Sequence, residues 1–525
     1  MMLRQETANP TTGVAGVAWL TPLRTLNALI ALFSLGLIAA ASFKYSRWGQ
    51  GFDMVDFHMP IWGTLNGDFL LVSRYNFTDT FMGLDVALGF LPAIPFYALI
   101  PSAYTLVAVQ VLLLASAAIP VYLIARDRFQ QPWAGVAFAA AYLLYPTTQF
   151  MAMAGPFQPR VPALVLFFWA FYFLERRKLW PYLALLVTAM LARTDAALVV
   201  VAFGMVAALK RTRWAFAVLP IVIGLAYFYL AITYITPQFY SGNFQPERVE
   251  LPFDLSRDYN AIWPCGMSPQ ACYYLHLGGS LGDIARNILT HPIEVLFFVF
   301  QPDKLIYLAL MLGSLLFLPL FAPRELLLAA PIFAINLLSN RIYQYVISEQ
   351  YQILVIPGVT IAAIYGAAWL WEQLQQRAGE PPNRAAFQQS AMLWFLVPLF
   401  VGLLNIPLKN PAISAFRNPE SAERVALMEQ MKARIPPDAM VAATSFLAPH
   451  LLPREELFYI PGGPMHHQVA EAEYAFIDTR ASGLRAEAER GNDIVGRLRT
   501  DPNWQIIAEA DDLILFQRMD VTPDP

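Results

Sequence analysis

Residues 25–43 read TLNALIALFSLGLIAAASF and form the first long apolar run of the chain. A helix that crosses a bilayer needs about 20 predominantly apolar residues, so this run predicts a membrane span. Residues 1–24 are mainly polar, the run lacks a convincing cleavage site, and Lys44 and Arg47 follow it. These features indicate a retained first span rather than a secretory signal peptide.

The rest of the chain shares this apolar character. Of its 525 residues, 57% are hydrophobic and 14% are charged, whereas about 25% of an ordinary soluble domain is charged. A water-soluble protein cannot bury that much apolar surface, so the composition predicts an integral membrane protein. The net charge of −3 gives no basic excess, and nucleic acid is therefore not expected as a partner.

Charged residues are unevenly distributed along the chain. Residues 1–407 contain 43 of them, and the much shorter segment 408–525 contains 30. The second segment has helical spacing followed by short strand-like runs, with a charged helix between the last two. These runs are 439–443, 457–460, 475–478 and 513–516, and the charged helix is 483–499. We therefore predict an all-α polytopic membrane domain, 1–407, followed by a small α/β domain, 408–525.

Eleven segments of the membrane domain are apolar and long enough to be candidate spans. They are 25–43, 102–125, 131–149, 160–174, 178–192, 195–209, 214–235, 304–322, 324–340, 350–371 and 389–407. A twelfth apolar stretch, 82–100, contains Asp85 and two prolines. Because proline kinks helices and an ionised Asp is costly in lipid, we predict that this stretch does not cross.

Three basic connectors define the predicted orientation: 126–128, 176–178 and 210–213. Two predicted spans separate each connector from the next, so all three lie on one side. The positive-inside rule places them in the cytoplasm only if 82–100 does not cross. The long loops 44–101 and 236–303 and the domain 408–525 are then extracytoplasmic.

The first outer loop carries the strongest candidate for catalysis, a pair of carboxylates. Asp53 and Asp56 are separated by about one helical turn, so both could point the same way, and His58 follows them. Two carboxylates and a His can act as a base or hold a divalent metal ion. The alternative is an ordinary solvated surface helix.

Three further clusters combine charged and polar residues near predicted span ends. They are Gln158 with Arg160, Arg193 with Asp195, and Arg341 with Tyr343, Tyr345 and Glu349. Arginine suits phosphate contacts, and ionisable residues at membrane depth are functional candidates. The alternatives are an arginine that reaches to headgroups, a simple Arg–Asp pair, and aromatic anchors at the membrane interface.

The outer loop 236–303 contains both cysteines, Cys265 and Cys272. Two cysteines six residues apart outside the membrane are candidates for a disulfide. Two free thiols are the alternative. No metal site is expected here, because His276 is the only histidine near them and the sequence has no second cysteine pair.

The order of these motifs resembles the predicted bacterial membrane proteins grouped as domain of unknown function 2079. The resemblance covers nearly the whole chain. It rests on Phe52-Asp53 with Trp62 and Gly67, on 99–126, on Phe157-Gln158-Pro159-Arg160, on 195–198, on Asp303-Lys304, on 336–339 with 343–345, and on 435–438.

The chain departs from that family pattern at three polar positions. Family members often have His where Gln158 stands, Glu where Thr194 stands, and a Gly-Asp-His type of motif near Gly83-Leu84-Asp85. The activity or the substrate could therefore differ from that of other members.

The family in turn resembles the GT-C superfamily of polyprenyl-phosphate-dependent glycosyltransferases. Those proteins share a long first outer loop with an acidic residue soon after the first span, which acts as a base or metal ligand. The resemblance implies that Asp53 is the catalytic base, that Asp56 supports it, and that a divalent metal ion is a possible cofactor there. It also implies a GT-C-like fold in the bacterial cytoplasmic membrane.

The leading hypothesis is an inverting sugar transferase whose partners are membrane lipids and a polyprenyl-phosphate-linked sugar. Its predicted substrate-binding residues are His58, Asp85, Gln158, Arg160, Arg193, Asp195, Arg341, Tyr343, Tyr345 and Glu349. The second hypothesis is a non-catalytic scaffold or accessory subunit that associates with other membrane subunits. A transporter is the third, but the paired broken helices that it predicts are not found.

Overall fold

The computed structural model describes residues 21–155, 157–241, 253–256, 271–377, 396–405, 408, 410–417, 419–462, 467–489 and 492–519. The chain begins with a 25-residue helix, α1 (Pro22–Ser46). The Thr21 side chain caps its first turn by accepting a hydrogen bond from the Arg24 N–H, and Pro22 occupies the first helical position. Both features fix where the first apolar run becomes helical.

The remaining helices of the membrane part follow in chain order. They are α2 (Asp53–Asn66), α3 (Ile94–Leu99), α4 (Ala103–Ser116), α5 (Ala118–Phe129), α6 (Pro132–Leu144), α7 (Pro146–Met153), α8 (Val161–Glu175), α9 (Leu179–Ala192), α10 (Ala196–Leu209), α11 (Trp214–Leu230), α12 (Leu281–Thr290), α13 (Pro292–Val299), α14 (Pro302–Gly313), α15 (Pro323–Leu326), α16 (Ala330–Leu338), α17 (Val355–Arg377), α18 (Leu396–Leu404) and α19 (Pro411–Arg417). One large apolar core joins α1, α4–α11, α14, α16, α17 and α18.

Four described helices are long and apolar enough to cross a bilayer: Pro22–Ser46, Ala103–Phe129, Trp214–Phe239 and Val355–Arg377. A fifth crossing is formed if α13 and α14, which meet at an angle of 61°, act as one bent span. Shorter apolar helices occupy other predicted spans, so the full count of eleven stays a prediction.

Three predicted spans, 131–149, 304–322 and 324–340, are interrupted helices, and whether each crosses the bilayer stays a prediction. Pro146 begins a new helix, the 3₁₀ turn Leu318–Phe321 contains Pro319, and Pro331 follows a break between α15 and α16. Proline lacks the N–H that continues a helical hydrogen-bond ladder, so each break has a local cause.

Residues 82–100 form no continuous helix of membrane-spanning length, as predicted. The stretch contains the 3₁₀ helix Leu88–Ala93 followed by the six-residue α3. Gly89 makes its position possible, because a Cβ there would overlap the carbonyl oxygens of Pro159 and Ala192. The segment therefore packs directly against the loops that precede α8 and α10.

The C-terminal part is an α/β layer, as predicted. Its strands are β1 (Val441–Thr444), β2 (Leu457–Ile460), β3 (Tyr474–Asp478), β4 (Trp504–Ala510) and β5 (Leu513–Arg518), in the order β2-β1-β3-β5-β4. β2, β1 and β3 are parallel, and β3, β5 and β4 are antiparallel. Its helices are α20 (Ala422–Lys432), α21 (Ser482–Glu489) and α22 (Ile494–Thr500).

Two details of this layer differ from the prediction. β4 was not predicted, because its mixture of polar and exposed residues lacks a clear apolar run. The predicted helix 483–499 is divided in two, and the second helix starts where the Asp493 side chain caps the Gly496 N–H.

The C-terminal layer and the first outer loop share one hydrophobic core. Trp48, Phe52, Val55 and Met59 pack in the same cluster as side chains from α20, β1, β2, β3 and β5. Backbone contacts strengthen the junction: the Phe52 N–H donates to the Ser445 hydroxyl at 3.0 Å. Helix α2, which carries the predicted catalytic pair, is therefore held from both sides.

Candidate active site

A cavity of about 400 Å³ lies among α10, α11, α12 and α16. Its polar lining comes mostly from loops and helix ends: Asp85, Arg160, Thr194, Asp195, Thr236, Tyr274, Asn336, Gln344 and Tyr351. Its apolar lining comes mostly from helices: Leu84, Leu198, Phe228, Ile232, Leu281, Ile284, Pro331, Ile332, Ala334, Ile335 and Leu338. Such a cavity suits a ligand with a polar head and an apolar body.

Arg160 is the cation of this cavity. Its Nε and Nη2 lie 2.8 and 2.5 Å from Asp195 Oδ2, and the residue is only 4% exposed. Within the described part of the chain, Arg160 Nη1 and Asp195 Oδ1 are buried without a hydrogen-bond partner. A buried polar atom that makes no hydrogen bond costs free energy. Arg160 Nη1 is therefore suited to donate a hydrogen bond to a ligand, and Asp195 Oδ1 to accept one.

Arg193 is held in a second buried ion pair. Its Nε lies 2.7 Å from Asp85 Oδ2, and both side chains are less than one tenth exposed. The Thr194 N–H also donates to Asp85 Oδ1 at 3.4 Å. Asp85 lines the cavity and Arg193 does not. This pair thus fastens the segment 82–100 to the turn before α10, and a substrate contact for Arg193 stays a prediction.

Gln158 is buried beside this region without lining the cavity. Its backbone N–H donates to Gln110 Oε1 at 3.0 Å. Its own Oε1 is buried without a partner among the described residues. The structure therefore gives Gln158 a place in the wall behind Arg160.

Asp53 and Asp56 do not share one environment, although their spacing predicted that they would. Asp53 is exposed at the start of α2, whereas Asp56 is buried and forms an ion pair with Arg74 at 2.7 Å. Burial raises the pKa of Asp56, the Arg74 charge opposes that rise, and Asp53 adds to it. Asp53 is thus the carboxylate of the two that solvent can reach.

His58 lies in the interior of the first outer loop rather than beside Asp53. Its Nε2 is 2.8 Å from the Tyr97 hydroxyl, and burial lowers the pKa of His58 to about 4. The side chain is therefore neutral at pH 7, and its contact is structural.

Glu349 is the second carboxylate near Asp53. Burial raises its pKa, the charge of Asp53 adds to the rise, and Arg341 opposes it. The Arg341 guanidinium lies over three tyrosine rings, with its Cζ 4.5 Å from Tyr273, 5.5 Å from Tyr343 and 5.9 Å from Tyr351.

Tyr351 connects this group to the cavity. The Arg160 Cζ lies 5.6 Å from the Tyr351 ring centroid, so arginines 160 and 341 both contact that ring. Burial raises the pKa of Tyr351, and Asp53 and both arginines also act on it. The structure thus brings Arg160 and Arg341 together on one tyrosine ring.

A buried hydrogen-bond network holds the loop that presents these residues. Gln352 is fully buried; its amide nitrogen donates to the Gln344 and Val346 carbonyls at 2.8 and 3.2 Å. Its Oε1 accepts from the Tyr307 hydroxyl at 2.5 Å and from Asn336 at 3.1 Å. Tyr345 lies outside the group, where its ring faces Lys304 at 5.3 Å.

The predicted metal site and the predicted disulfide were examined next among the described residues. In the described ranges no three His, Cys, Asp or Glu side chains are grouped to hold a metal ion. The Arg74 contact also occupies one oxygen of Asp56. Cys265 lies outside the described residues, as does the side chain of Cys272, so the predicted disulfide lies outside them too.

Sequence reasoning missed Arg74 and Tyr459, which both contact Phe52 beside Asp53. Arg74 is an isolated cation in a loop, and Tyr459 belongs to a strand of the other domain. Neither residue has a local sequence pattern that marks a site. The available signal was that Arg74 is a single basic residue in an outer loop that contains several carboxylates.

Comparisons with curated proteins and with solved structures gave two results. None of the curated proteins is significantly similar in sequence. Among solved structures, ArnT from Cupriavidus metallidurans bound to undecaprenyl phosphate aligns with a TM-score of 0.44 and 12% identity, covering 94% of this chain and 97% of ArnT. The apo oligosaccharyltransferase of Archaeoglobus fulgidus aligns with a TM-score of 0.46 and 14% identity, covering 88% of this chain and 70% of that protein.

A family model described as a predicted membrane protein, DUF2079, matches residues 48–515. This range includes both halves of the candidate site, from Asp53 to Tyr459. The chain therefore belongs to the DUF2079 family of predicted membrane proteins.

Proposed function

We propose that the protein is a membrane glycosyltransferase that moves a sugar from a polyprenyl-phosphate donor to an acceptor. The observation that carries the proposal is Arg160, a buried cation in a largely apolar cavity, with one guanidinium nitrogen that has no partner among the described residues. The resemblance of the sequence to the GT-C superfamily points the same way. The reaction then takes place at the outer face of the bacterial cytoplasmic membrane, where the C-terminal layer lies.

The donor is a lipid phosphate because the cavity combines two chemistries. Guanidinium groups bind phosphate oxygens through paired, charge-assisted hydrogen bonds. The cavity walls from α10, α11, α12 and α16 offer apolar contacts to a hydrocarbon chain. A soluble nucleotide sugar has no hydrocarbon chain, so it would leave those apolar walls without an apolar contact.

Asp53 is the proposed base. It accepts the proton of an acceptor hydroxyl, whose oxygen forms a bond to the anomeric carbon of the donor sugar. The bond from that carbon to the phosphate oxygen breaks, and its electron pair leaves with the polyprenyl phosphate. Arg160 stabilises the negative charge on this leaving group. Because attack comes from the face opposite the leaving group, the anomeric configuration inverts.

Binding of undecaprenyl phosphate to the full chain in nanodiscs tests the donor site. We expect Arg160→Gln to weaken binding about tenfold or more, since a charge-assisted hydrogen bond contributes about 1.5–3 kcal/mol. The matched control is Arg176→Gln, which removes an exposed arginine paired with Asp127.

Arg160→Gln leaves the Asp195 carboxylate buried without its cation, and this alone could unfold the protein. A double variant separates loss of binding from loss of folding. Arg160→Gln with Asp195→Asn removes both charges and keeps similar volumes. Undiminished lipid binding by the folded double variant would refute the donor site.

The alternative function is a non-catalytic scaffold or accessory subunit. The observation that favours it is the engagement of Asp56 by Arg74 and of Arg193 by Asp85. A scaffold predicts stable association with other membrane subunits and no hydrolysis or transfer of a polyprenyl-phosphate sugar. Isolation from native membranes, followed by mass spectrometry of associated proteins and lipids, separates the two functions.

A further inference from the structure

Two turns far from the candidate active site share one sequence pattern, and we call them the twin turns: residues 176–180, RRKLW, and 210–214, KRTRW. The first joins α8 to α9, and the second joins α10 to α11. Arg160 and Asp195 precede the first residues of α8 and α10, so the twin turns lie at the other ends of the same two helices. They are therefore separate from the proposed donor site.

Both turns have the same backbone conformation. Arg177 and Arg211, the second residues of the turns, have φ values of 56° and 50°. The N–H groups of Lys178 and Thr212 then donate to the carbonyls five residues earlier, at 3.0 and 3.1 Å. Glycine usually occupies this left-handed position at the end of a helix, because a residue with a Cβ is strained there. Each turn thus has an arginine where folding alone favours glycine.

Three contacts hold the twin turns side by side. Lys210 Nζ, in the second turn, lies 2.9 Å from the carboxylate of Glu175, the residue before the first turn. The Tyr182 hydroxyl of α9 donates to the Phe216 carbonyl of α11 at 3.2 Å, and the two ring centroids are 5.4 Å apart. Both of these residues lie two positions beyond the tryptophan that ends each turn. The two turns therefore form one continuous surface.

Four cations of this surface are exposed and form no ion pair with any residue that the structure describes: Arg177, Lys178, Arg211 and Arg213. The other two basic residues of the twin turns are engaged. Arg176 lies 2.6 Å from Asp127, and Lys210 lies 2.9 Å from both Glu175 and Glu325. Carboxylates therefore stand beside the surface, yet they leave four of its six positive charges available to a ligand.

Two tryptophans place this surface at the boundary of the membrane. Trp180 and Trp214 end the two turns and are 78% and 71% exposed. Trp214 is also the first residue of Trp214–Phe239, a helix long and apolar enough to cross a bilayer. Exposed tryptophan in membrane proteins concentrates at the level of the lipid headgroups. The available cations therefore lie beside headgroups.

We infer that the twin turns bind an anionic phospholipid that carries two phosphates, with one phosphate on the cations of each turn. Arginine donates paired hydrogen bonds to phosphate oxygens, and basic pockets between neighbouring helices at a membrane surface suit such headgroups. The indole rings offer apolar contacts to the adjoining acyl chains. An acidic protein fits less well, because it would have to displace lipid from both tryptophans. This inference does not depend on the proposed function.

The test is a titration of the purified full chain with tetraoleoyl cardiolipin, followed by native mass spectrometry. We expect Arg177→Gln with Arg211→Gln to weaken cardiolipin binding about tenfold or more, because one cation is lost from each turn. The matched control is Arg485→Gln with Arg497→Gln, which removes two exposed cations of the C-terminal layer. This control should bind cardiolipin as wild type does.

A second double variant separates binding from folding. Arg177→Gly with Arg211→Gly keeps both turns, since glycine adopts the left-handed conformation without strain. The thermal midpoint of the lipid-free protein should therefore equal or exceed that of wild type. Cardiolipin binding should fall as it does in the glutamine variant. Dioleoyl phosphatidylglycerol, which has one phosphate, should bind wild type about fivefold more weakly than cardiolipin or weaker still, because it can occupy only one turn.

Three results would overturn the inference. Unchanged cardiolipin affinity in both double variants would remove the site, and equal affinity for the two lipids would remove the second phosphate. Displacement of cardiolipin by polyglutamate would assign the surface to an acidic protein. Undecaprenyl phosphate binding should be the same in these variants as in wild type, because Arg160 is untouched. Its absence in wild type would refute the donor site and leave the twin turns standing.

Discussion

Asp53 and Asp56 lie one helical turn apart but in opposite surroundings. Asp53 is exposed and near Glu349, whereas Asp56 is buried against Arg74. The exposed side chain of the two is therefore Asp53, and Asp56 is engaged by Arg74. Asp53 alone on this helix is thus the proposed base.

Replacing that residue gives the sharpest prediction at the residue scale. Asp53→Asn removes a base and almost no volume, so we expect transfer from a polyprenyl-phosphate sugar to fall at least 10²-fold. The thermal midpoint should stay close to that of wild type. Asp68→Asn, at an exposed carboxylate just beyond the same helix, should have no effect on transfer. Full activity in Asp53→Asn would assign the base elsewhere, with Glu349 the first residue to examine.

His450 should make the junction with the C-terminal layer sensitive to acid. Its ring is stacked between Tyr45 and Trp48, with centroids 4.4 and 4.0 Å away. Burial lowers the pKa of His450 to about 3, and the Lys432 charge adds to the effect. In the unfolded state the His450 ring binds a proton near pH 6.5, whereas in the folded state it stays neutral until the pH approaches 3. The free energy of unfolding is therefore highest above about pH 6.5 and decreases as the pH falls towards 3.

Between pH 7 and pH 5 we therefore expect the free energy of unfolding to fall by up to about 2 kcal/mol more in wild type than in His450→Phe. The phenylalanine keeps a stacked ring but has no titrating group. Pulse proteolysis at the two pH values measures this difference. His291→Phe, at a histidine outside the junction, is the control. The same acid sensitivity in wild type and His450→Phe would contradict the assignment.

At the scale of elements, the loop between α16 and α17 presents Arg341, Tyr343, Glu349 and Tyr351, yet has little regular structure of its own. The Gln352 side chain stabilises the loop with four hydrogen bonds inside the core: two to loop carbonyls, one to Tyr307 and one to Asn336. These buried hydrogen bonds fix the loop that presents the candidate site residues.

Gln352→Leu should release this loop. It leaves the Gln344 and Val346 carbonyls and the Tyr307 hydroxyl without these partners, at about 1–3 kcal/mol for each buried group left unsatisfied. We expect hydrogen exchange to accelerate at least tenfold in 341–351 and to remain unchanged in α8. Gln376→Leu, near the exposed end of α17, is the control. Unchanged exchange in the loop would show that other contacts hold it.

At the scale of the whole molecule, the polar loops, the cavity opening and the C-terminal layer must lie on one side of the membrane for the site to work. The Phe52 ring packs against the Tyr459 ring, and the Phe52 N–H donates to the Ser445 hydroxyl, so the first outer loop and the C-terminal layer are on the same face. The basic connectors 126–128 and 176–178 lie at the other end of their helices.

Cysteine labelling in intact cells tests this orientation. With Cys265 and Cys272 replaced by Ser, a cysteine at position 423 should react with an impermeant maleimide. A cysteine at position 178 should react only after permeabilisation, because it is predicted to be cytoplasmic. The opposite pattern would invert the proposed orientation and place the reaction in the cytoplasm.

The sequence by itself determined the properties that depend on composition and local pattern. Apolar runs indicated the membrane part, and four of the five strands were read from short β-branched and aromatic segments. Prolines and Asp85 correctly predicted that 82–100 forms no continuous span. These features are local because hydrophobicity and backbone restriction act over a few residues.

Only the tertiary structure decided how the charged residues are paired. Helical spacing placed Asp53 and Asp56 on one face, but Asp56 is buried and paired with Arg74 from later in the same outer loop, whereas Asp53 is exposed. The sequence grouped Arg193 with Asp195, yet Arg193 pairs with Asp85 and Asp195 pairs with Arg160. Such pairings depend on contacts between residues far apart in the chain, and no local pattern encodes which carboxylate will meet which cation.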